Sequence, residues 1–186
     1  MTELTSLLLP VVLSAVAVFV LSSVIHMATP WHKGDFRKLP DEDRFANAVR
    51  PLQIPPGDYM MPAPSSMADM KSPEFKKKHE DGPVMIFTML PTGAISMGPY
   101  LAKWFVYSLV VSFFAAYVGS ITLPHGTPYL KVFQVVGTVA FCSYSFALWP
   151  STIWYRKSVA TTIRLSIDGL LYGLFTAGIF GCCWPH

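Results

Sequence analysis

Four stretches of this chain are long and apolar enough to cross a lipid bilayer, and they constrain its fold more than any other feature. They cover residues 4–27, 101–123, 132–149 and 165–184. A spanning helix needs about 20 apolar residues, because each residue advances about 1.5 Å across a hydrocarbon core of about 30 Å. Composition agrees, since 52% of residues are apolar and 13% are charged, against about 25% charged in soluble domains. We predict an all-α integral membrane protein, a single domain that forms a four-transmembrane-helix bundle.

The first stretch has one alternative interpretation, a cleaved signal peptide. Glu3 is the only charged residue before it, so the basic segment that begins a signal peptide is missing. The apolar run also exceeds the usual length of about 7–15 residues, and no small-x-small cleavage site follows. We therefore predict a retained spanning helix.

The distribution of basic residues predicts the orientation of the four helices. Nine Lys and Arg residues lie between spans one and two, and Arg156, Lys157 and Arg164 lie between spans three and four. The link over 124–130 and the C-terminal tail contain none, although Lys131 follows the link directly. Because Lys and Arg concentrate in cytoplasmic loops, we predict both termini outside and both basic connections in the cytoplasm. A bacterial inner membrane is the expected location.

Tryptophan positions agree with this orientation, because indole rings prefer the level of the lipid headgroups. Trp184 lies at a predicted outer end of a span. The other four tryptophans lie at predicted cytoplasmic ends of spans: Trp31, Trp104, Trp149 and Trp154.

The segment over residues 28–99 is rich in proline, with eleven of the chain's sixteen prolines, so it cannot form one long helix. We predict a membrane-associated cytoplasmic segment with short helices, one over 41–50 and others after the caps at Ser66 and Ser72. The apolar run at 84–90 is too short to span. It predicts a small β-hairpin with residues 94–97, or alternatively a re-entrant or extended strap.

Histidines near the end of span one raise the possibility of an interfacial metal or haem site. His26 and His32 are close in sequence, and the Asp35 carboxylate is nearby. The alternative is a set of ordinary polar residues at the membrane surface, because the spacing matches no recognised ligand motif. No cofactor is predicted outright.

Copper is a further possibility, because seven of nine methionines lie between Met60 and Met97 and thioethers suit Cu(I). Only His79 accompanies them, so packing or docking is the preferred interpretation. The cysteines at positions 142, 182 and 183 form no Cys-x-x-Cys motif and give little support to a redox role.

Asp168 is an acid within a predicted span, and such residues are candidates for a functional site. It follows Arg164 by four residues, so an ion pair within the helix is expected. Asp168 and Arg164, together with Gln134 in span three, are the residues that line a path if the protein is a small transporter or channel.

Small residues recur every fourth position in two of the spans, a pattern that lets helices approach closely in lipid. Span four has Gly169, Gly173, Ala177 and Gly181. Span two has Ser108, Ser112, Ala116 and Ser120. We predict a tight contact between spans two and four, or a contact with another subunit.

Lys76, Lys77 and Lys78 are predicted to meet anionic lipid headgroups. No nucleic-acid-binding motif and no catalytic motif is found in the sequence, so neither a nucleic-acid partner nor an enzyme is predicted. The leading hypothesis is a non-catalytic accessory or scaffold subunit, with the lipid bilayer and other membrane-protein subunits or copies of itself as partners. A transporter and an interfacial metal protein are the alternatives.

Overall fold

A computed structural model describes residues 2–186 of the chain. Four of its helices are long and apolar enough to cross a membrane. Their bounds, which include short turns of other helical types, are Leu4–Ala28, Gly98–Thr122, Tyr129–Tyr155 and Val159–Cys182. The longest has 27 residues, which at 1.5 Å per residue gives about 40 Å. The predicted fold class, a mostly helical membrane protein with four spanning helices, is confirmed.

The α-helices, two of which lie in the segment between the first and second spans, are named in chain order. They are α1 (Leu8–Ser23), α2 (Glu42–Val49), α3 (Pro73–Asp81), α4 (Gly98–Thr122), α5 (Tyr129–Ser145), α6 (Trp149–Tyr155) and α7 (Val159–Cys182). A π-helical turn over Val24–Ala28 extends α1. A 3-10 turn over Phe146–Leu148 joins α5 to α6, which begins with Pro150 in its first turn.

The third and fourth spans are longer than predicted. The third continues through the 3-10 turn and α6 to Tyr155 instead of ending at residue 149. The fourth begins at Val159 instead of 165, because the Ser158 side chain caps it by accepting a hydrogen bond from the Thr161 amide. Asp168 therefore lies nine residues inside α7, about 14 Å from its start.

Helices α5 and α7 make the most extensive contact of the bundle, and α1 packs against both α4 and α7. A Cβ atom placed on Gly173 would lie 3.1 Å from the backbone nitrogen of Phe141, and one on Gly137 would lie 2.8 Å from the Ala177 Cβ. The glycine-lined face of α7 thus packs on α5. The expected tight contact between spans two and four is wrong.

The two chain ends lie at the same end of the bundle as the α4–α5 link. The Thr2 amide donates to the Ser120 carbonyl at 3.0 Å, and the Gly126 amide donates to the Pro185 carbonyl at 2.9 Å. The Trp184 indole nitrogen donates to the Pro124 carbonyl at 3.0 Å. Four antiparallel crossings place the end of α1 and the start of α7 at the opposite end.

Residues Arg37–Ile95 form a compact unit separate from the helical bundle. It contains α2, α3 and the strands β1 (Gly57–Met61) and β2 (Met85–Met89), which pair antiparallel. The Ser72 cap and Pro73 at the start of α3 follow the prediction. The strand partner was predicted wrongly: β2 pairs with β1, not with residues 94–97.

Candidate functional site

His32 lies between two carboxylates at the bundle end opposite the chain termini. Its Nδ1 is 2.6 Å from Asp35 Oδ2, and its Nε2 is 2.8 Å from Asp168 Oδ2. These distances require a hydrogen in each gap. Since an ionised carboxylate only accepts, either His32 is doubly protonated or one carboxyl carries the proton. The imidazole thus connects a loop residue to a residue inside α7.

Asp168 is almost completely buried, with 2% of its surface exposed. Its Oδ1 accepts a hydrogen bond from the Trp31 indole nitrogen at 3.0 Å, while Oδ2 faces His32. A buried charge is tolerated only when it is paired and hydrogen-bonded. The residues Trp31 and His32, which follow the first span, supply both partners.

The expected ion pair between Asp168 and Arg164 is wrong. Arg164 is directed to Asp35, donating from Nε at 2.9 Å and from Nη2 to the same oxygen, Oδ1. Desolvation raises the pKa of Asp35, but hydrogen bonds from His32 and Arg164 outweigh it and hold that pKa below 3.8. Asp35 is therefore an ionised carboxylate that fixes the far side of the His32 ring.

His26 stacks on His32, with ring centroids 4.2 Å apart and planes inclined by 9°. It lies in the π-helical turn that ends the first span, a feature frequent at functional sites. His26 Nδ1 is 3.0 Å from the Ser22 carbonyl oxygen. Because a carbonyl only accepts, Nδ1 carries the hydrogen, and Nε2 is the ring nitrogen left to bind a metal.

One potential ligand atom from each of His26, His32 and Asp168 lies within 4.8 Å of the others. The sequence predicted His26 and His32 with Asp35 as the nearby acid. The structure adds Asp168 to this group and places Asp35 behind the His32 ring. No local pattern linked Asp168 to the histidines, because 136 residues separate it from His32.

Two cavities meet at Asp168. One of about 500 Å³ is lined by Trp104, Tyr144, Tyr172 and their neighbours, and His26 also borders it. The other, of about 580 Å³, is lined by Trp31, Arg164 and Ile167 among others. Two of the three candidate ligands, His26 and Asp168, thus lie in the wall of a space large enough for a small molecule.

Gln134 is not brought to Asp168. It is exposed on α5 and borders a separate groove of about 200 Å³ with Phe133 and Phe141. The α5–α7 contacts place Gln134 level with residue 180, twelve residues or about 18 Å along α7 from Asp168. These residues therefore do not line one common path. The transport role stays a prediction, but the path that Asp168, Arg164 and Gln134 were expected to line together is not formed.

The other candidate residues from the sequence lie outside the group formed by His26, His32 and Asp168. Lys76, Lys77 and Lys78 are exposed on α3. Ser108, Ser112, Ala116 and Ser120 form a buried face of α4. Gly181 lies against the ring of Tyr129.

Comparison with known proteins gives no relative: no family model, no curated protein and no solved structure matches the chain.

Proposed function

We propose that this integral membrane protein binds one divalent transition-metal ion through His26, His32 and Asp168. The observation that carries the proposal is the orientation of the two imidazoles. Each directs Nδ1 to an acceptor, His26 to the Ser22 carbonyl and His32 to Asp35. Metal-binding histidines almost always have such a partner behind the ring, because it fixes the tautomer and the ring orientation. The Nε2 atoms are then the atoms available to a metal, beside Asp168.

Charge supports the same proposal. Asp35 and Asp168 bring two negative charges to the cluster, and Arg164 brings one permanent positive charge. The remaining negative charge is balanced by a proton on His32 or on the Asp168 carboxyl, or by a bound cation. A divalent ion that takes the His32 and Asp168 ligand atoms replaces the proton shared between them.

The donor set indicates which metals are suitable. Two imidazole nitrogens and one carboxylate suit Zn²⁺, Fe²⁺ or Mn²⁺, and they leave at least one coordination position for water or another ligand. Cu⁺ prefers sulfur, which this group lacks. A haem held between the two histidines is not proposed, because their rings are stacked 4.2 Å apart with no space for a macrocycle.

The proposed site faces the cytoplasm of a bacterial inner membrane, with both chain termini outside. This orientation is supported by the basic residues at the same bundle end, such as Lys33 and Arg164, because such residues concentrate on the cytoplasmic side. An accessory role in a larger complex stays a prediction, which co-purification after gentle solubilisation tests.

The test uses the full-length protein in detergent micelles, loaded with Zn²⁺ or Co²⁺ and separated from free metal by gel filtration. Metal counted per chain is expected to be about one for the wild type. His26→Ala, His32→Ala and Asp168→Asn are each expected to lose it. His79→Ala, at an exposed histidine of α3, is the matched control and keeps the metal.

Asp168→Asn is the most informative variant, because its amide oxygen still accepts from Trp31 and its size is unchanged. Circular dichroism and the elution volume confirm that each variant is folded. Wild-type metal content in all three folded variants contradicts the proposal.

A further inference from the structure

The cavity of about 500 Å³ next to the candidate metal site, here called the aromatic cavity, has the size of a small-molecule binding site. Such sites enclose about 300–1,000 Å³. Its lining includes His26, Leu101, Trp104, Tyr144, Asp168 and Tyr172. These residues come from the first, second, third and fourth spans, so the bundle itself forms the cavity.

Aromatic rings give the cavity a fixed wall. The Trp104 ring lies 5.5 Å from the Tyr107 ring and 6.0 Å from the Tyr172 ring, centroid to centroid. Trp104 Nε1 donates to the Ser22 hydroxyl at 2.8 Å, and the Tyr107 hydroxyl donates to the Ser143 carbonyl at 3.1 Å. Rings held in this way form a pre-organised apolar surface, which lowers the entropic cost of binding.

The aromatic cavity has one polar end. His26 and Asp168, two of the three candidate metal ligands, belong to its lining. Within residues 2–186, the buried hydroxyl of Tyr172, which also lines the cavity, has no hydrogen-bond partner. Such groups are uncommon in proteins and are normally satisfied by water, an ion or a ligand.

Apart from Ser22 and Ser23, the cavity's remaining lining is mostly apolar, and it reaches the outside of the bundle. Met27 is 82% exposed and Met97 is 60% exposed, and both line the cavity. Their unbranched thioether side chains adapt to differently shaped apolar molecules. This apolar entrance favours the entry of a molecule dissolved in the bilayer over that of a strongly polar solute.

We propose that the aromatic cavity binds a lipid-soluble molecule whose oxygen-donor head group completes the coordination of the metal at His26, His32 and Asp168. This inference rests on the proposed metal site. One carboxylate ligand leaves a divalent ion with a net positive charge, so an anionic head such as a carboxylate or hydroxamate is favoured. The apolar body of the molecule then lies against Trp104 and the two tyrosines.

The experiment compares two hydroxamic acids that share a head group and differ in chain length. Octanohydroxamic acid and acetohydroxamic acid are titrated into the Co²⁺-loaded full-length protein in lipid nanodiscs, and the visible absorption of the cobalt is followed. Both are expected to change the spectrum. The octanoyl compound is expected to bind at least about tenfold more tightly, because each buried methylene adds favourable transfer free energy.

Variants separate the cavity from simple partitioning into lipid. Leu148→Trp and Leu101→Trp enlarge side chains that line the cavity, and each is expected to reduce the chain-length preference at least about fivefold. Val106→Trp is the matched control, because Val106 is exposed on α4 and does not line the cavity. Cobalt content near one per chain in every variant shows that the metal site is intact.

The outcomes distinguish the two proposals. A wild type that binds no cobalt contradicts the metal site, and this inference is lost with it. A wild type that binds cobalt but shows equal affinity for the two hydroxamates overturns this inference alone. The same conclusion follows if both tryptophan variants keep the full chain-length preference.

Discussion

Replacing Asp35 with Asn separates a residue that orients a metal ligand from a residue that binds the metal. Asp35 holds His32 through a 2.6 Å contact to Nδ1 and accepts from Arg164 on its other oxygen. In Asp35→Asn, only one of the two side-chain oxygens remains to accept from His32 and Arg164. The amide nitrogen that replaces the other oxygen is a donor, so it cannot accept from either residue. The variant therefore weakens the orientation of His32 while all three candidate ligands remain.

The expected effect is a loss of about 10- to 100-fold in metal affinity, the range for removing the group behind a metal-bound histidine. At 1.4 kcal/mol per tenfold, this corresponds to about 1.4–2.8 kcal/mol. We expect the upper half of this range for two reasons. The hydrogen bond lost is to an ionised carboxylate, which is about twice as strong as a neutral one. Asp35 is also the only carboxylate hydrogen-bonded to Arg164 within residues 2–186.

The assay is a Co²⁺ titration of the full-length protein followed by visible absorption, which gives affinity and stoichiometry together. Asp35→Asn is expected to keep one cobalt per chain at lower affinity, and Asp168→Asn is expected to lose it. Asp43→Asn, at an exposed acid in α2, is the control and behaves as the wild type. The reasoning is refuted if Asp35→Asn changes affinity by less than about twofold. It is also refuted if that variant loses cobalt as completely as Asp168→Asn.

Three further predictions test the packing, the electrostatics and the orientation. Carbon-13 NMR of the Asp35 carboxyl is expected to give a pKa below 3.8 that rises in Arg164→Gln, and an unchanged pKa in the variant contradicts this. The ionised Asp35 carboxylate therefore contributes to stability above about pH 4, and this contribution is lost as the pH falls through the lowered pKa. Gly173→Ala is expected to cost about 1–3 kcal/mol in thermal unfolding, because its Cβ would lie 3.1–3.2 Å from the Phe141 backbone. Gly178→Ala, whose Cβ meets only the Tyr129 hydroxyl at 3.7 Å, is expected to be neutral or stabilising, and equal losses in the two variants oppose the close α5–α7 packing at Gly173. A membrane-impermeant maleimide is expected to label Cys182, which is exposed, from the outside only and Lys77→Cys from the cytoplasmic side only; the reverse pattern overturns the orientation.

The spanning helices were predictable because the bilayer imposes a requirement that a single sequence displays: about 20 apolar residues in succession. The start of the fourth span was less predictable. Residues 159–164 include polar threonines and Arg164, so hydropathy places the boundary too late. The Ser158 cap and the contact between Arg164 and Asp35 extend the helix into this polar region.

The pairing of β2 depended on contacts that are distant in sequence. Residues 94–97 follow the strand after a short turn, which suggested a local hairpin. The actual partner, β1, ends 24 residues earlier, and the pair is joined by stacking of Tyr59 on Phe87 and by a hydrogen bond from Thr88 to Asp58. Sequence patterns identify a strand more readily than they identify its partner, because pairing is a tertiary interaction.

The candidate site was half predictable for the same reason. His26 and His32 are close in the chain, and their positions at a membrane boundary suggested a site. The predicted partner of Asp168 was wrong. Arg164 lies one helical turn away, and the helix spacing favoured an ion pair between these two residues. The loop after α1 instead brings His32 and Trp31 to Asp168 and Asp35 to Arg164.

X-ray absorption spectroscopy of the Zn²⁺-loaded full-length protein tests the central proposal most directly, because it reports the ligand atoms of the bound metal. The proposed site predicts nitrogen and oxygen ligands at about 2.0–2.2 Å, including two imidazoles, with no sulfur. The imidazole signal is expected to be lost in a His26→Ala, His32→Ala double variant and kept in His79→Ala. Sulfur ligands at about 2.3 Å would instead indicate binding at the cysteines. That result, or a first shell without imidazole, contradicts the site at His26, His32 and Asp168.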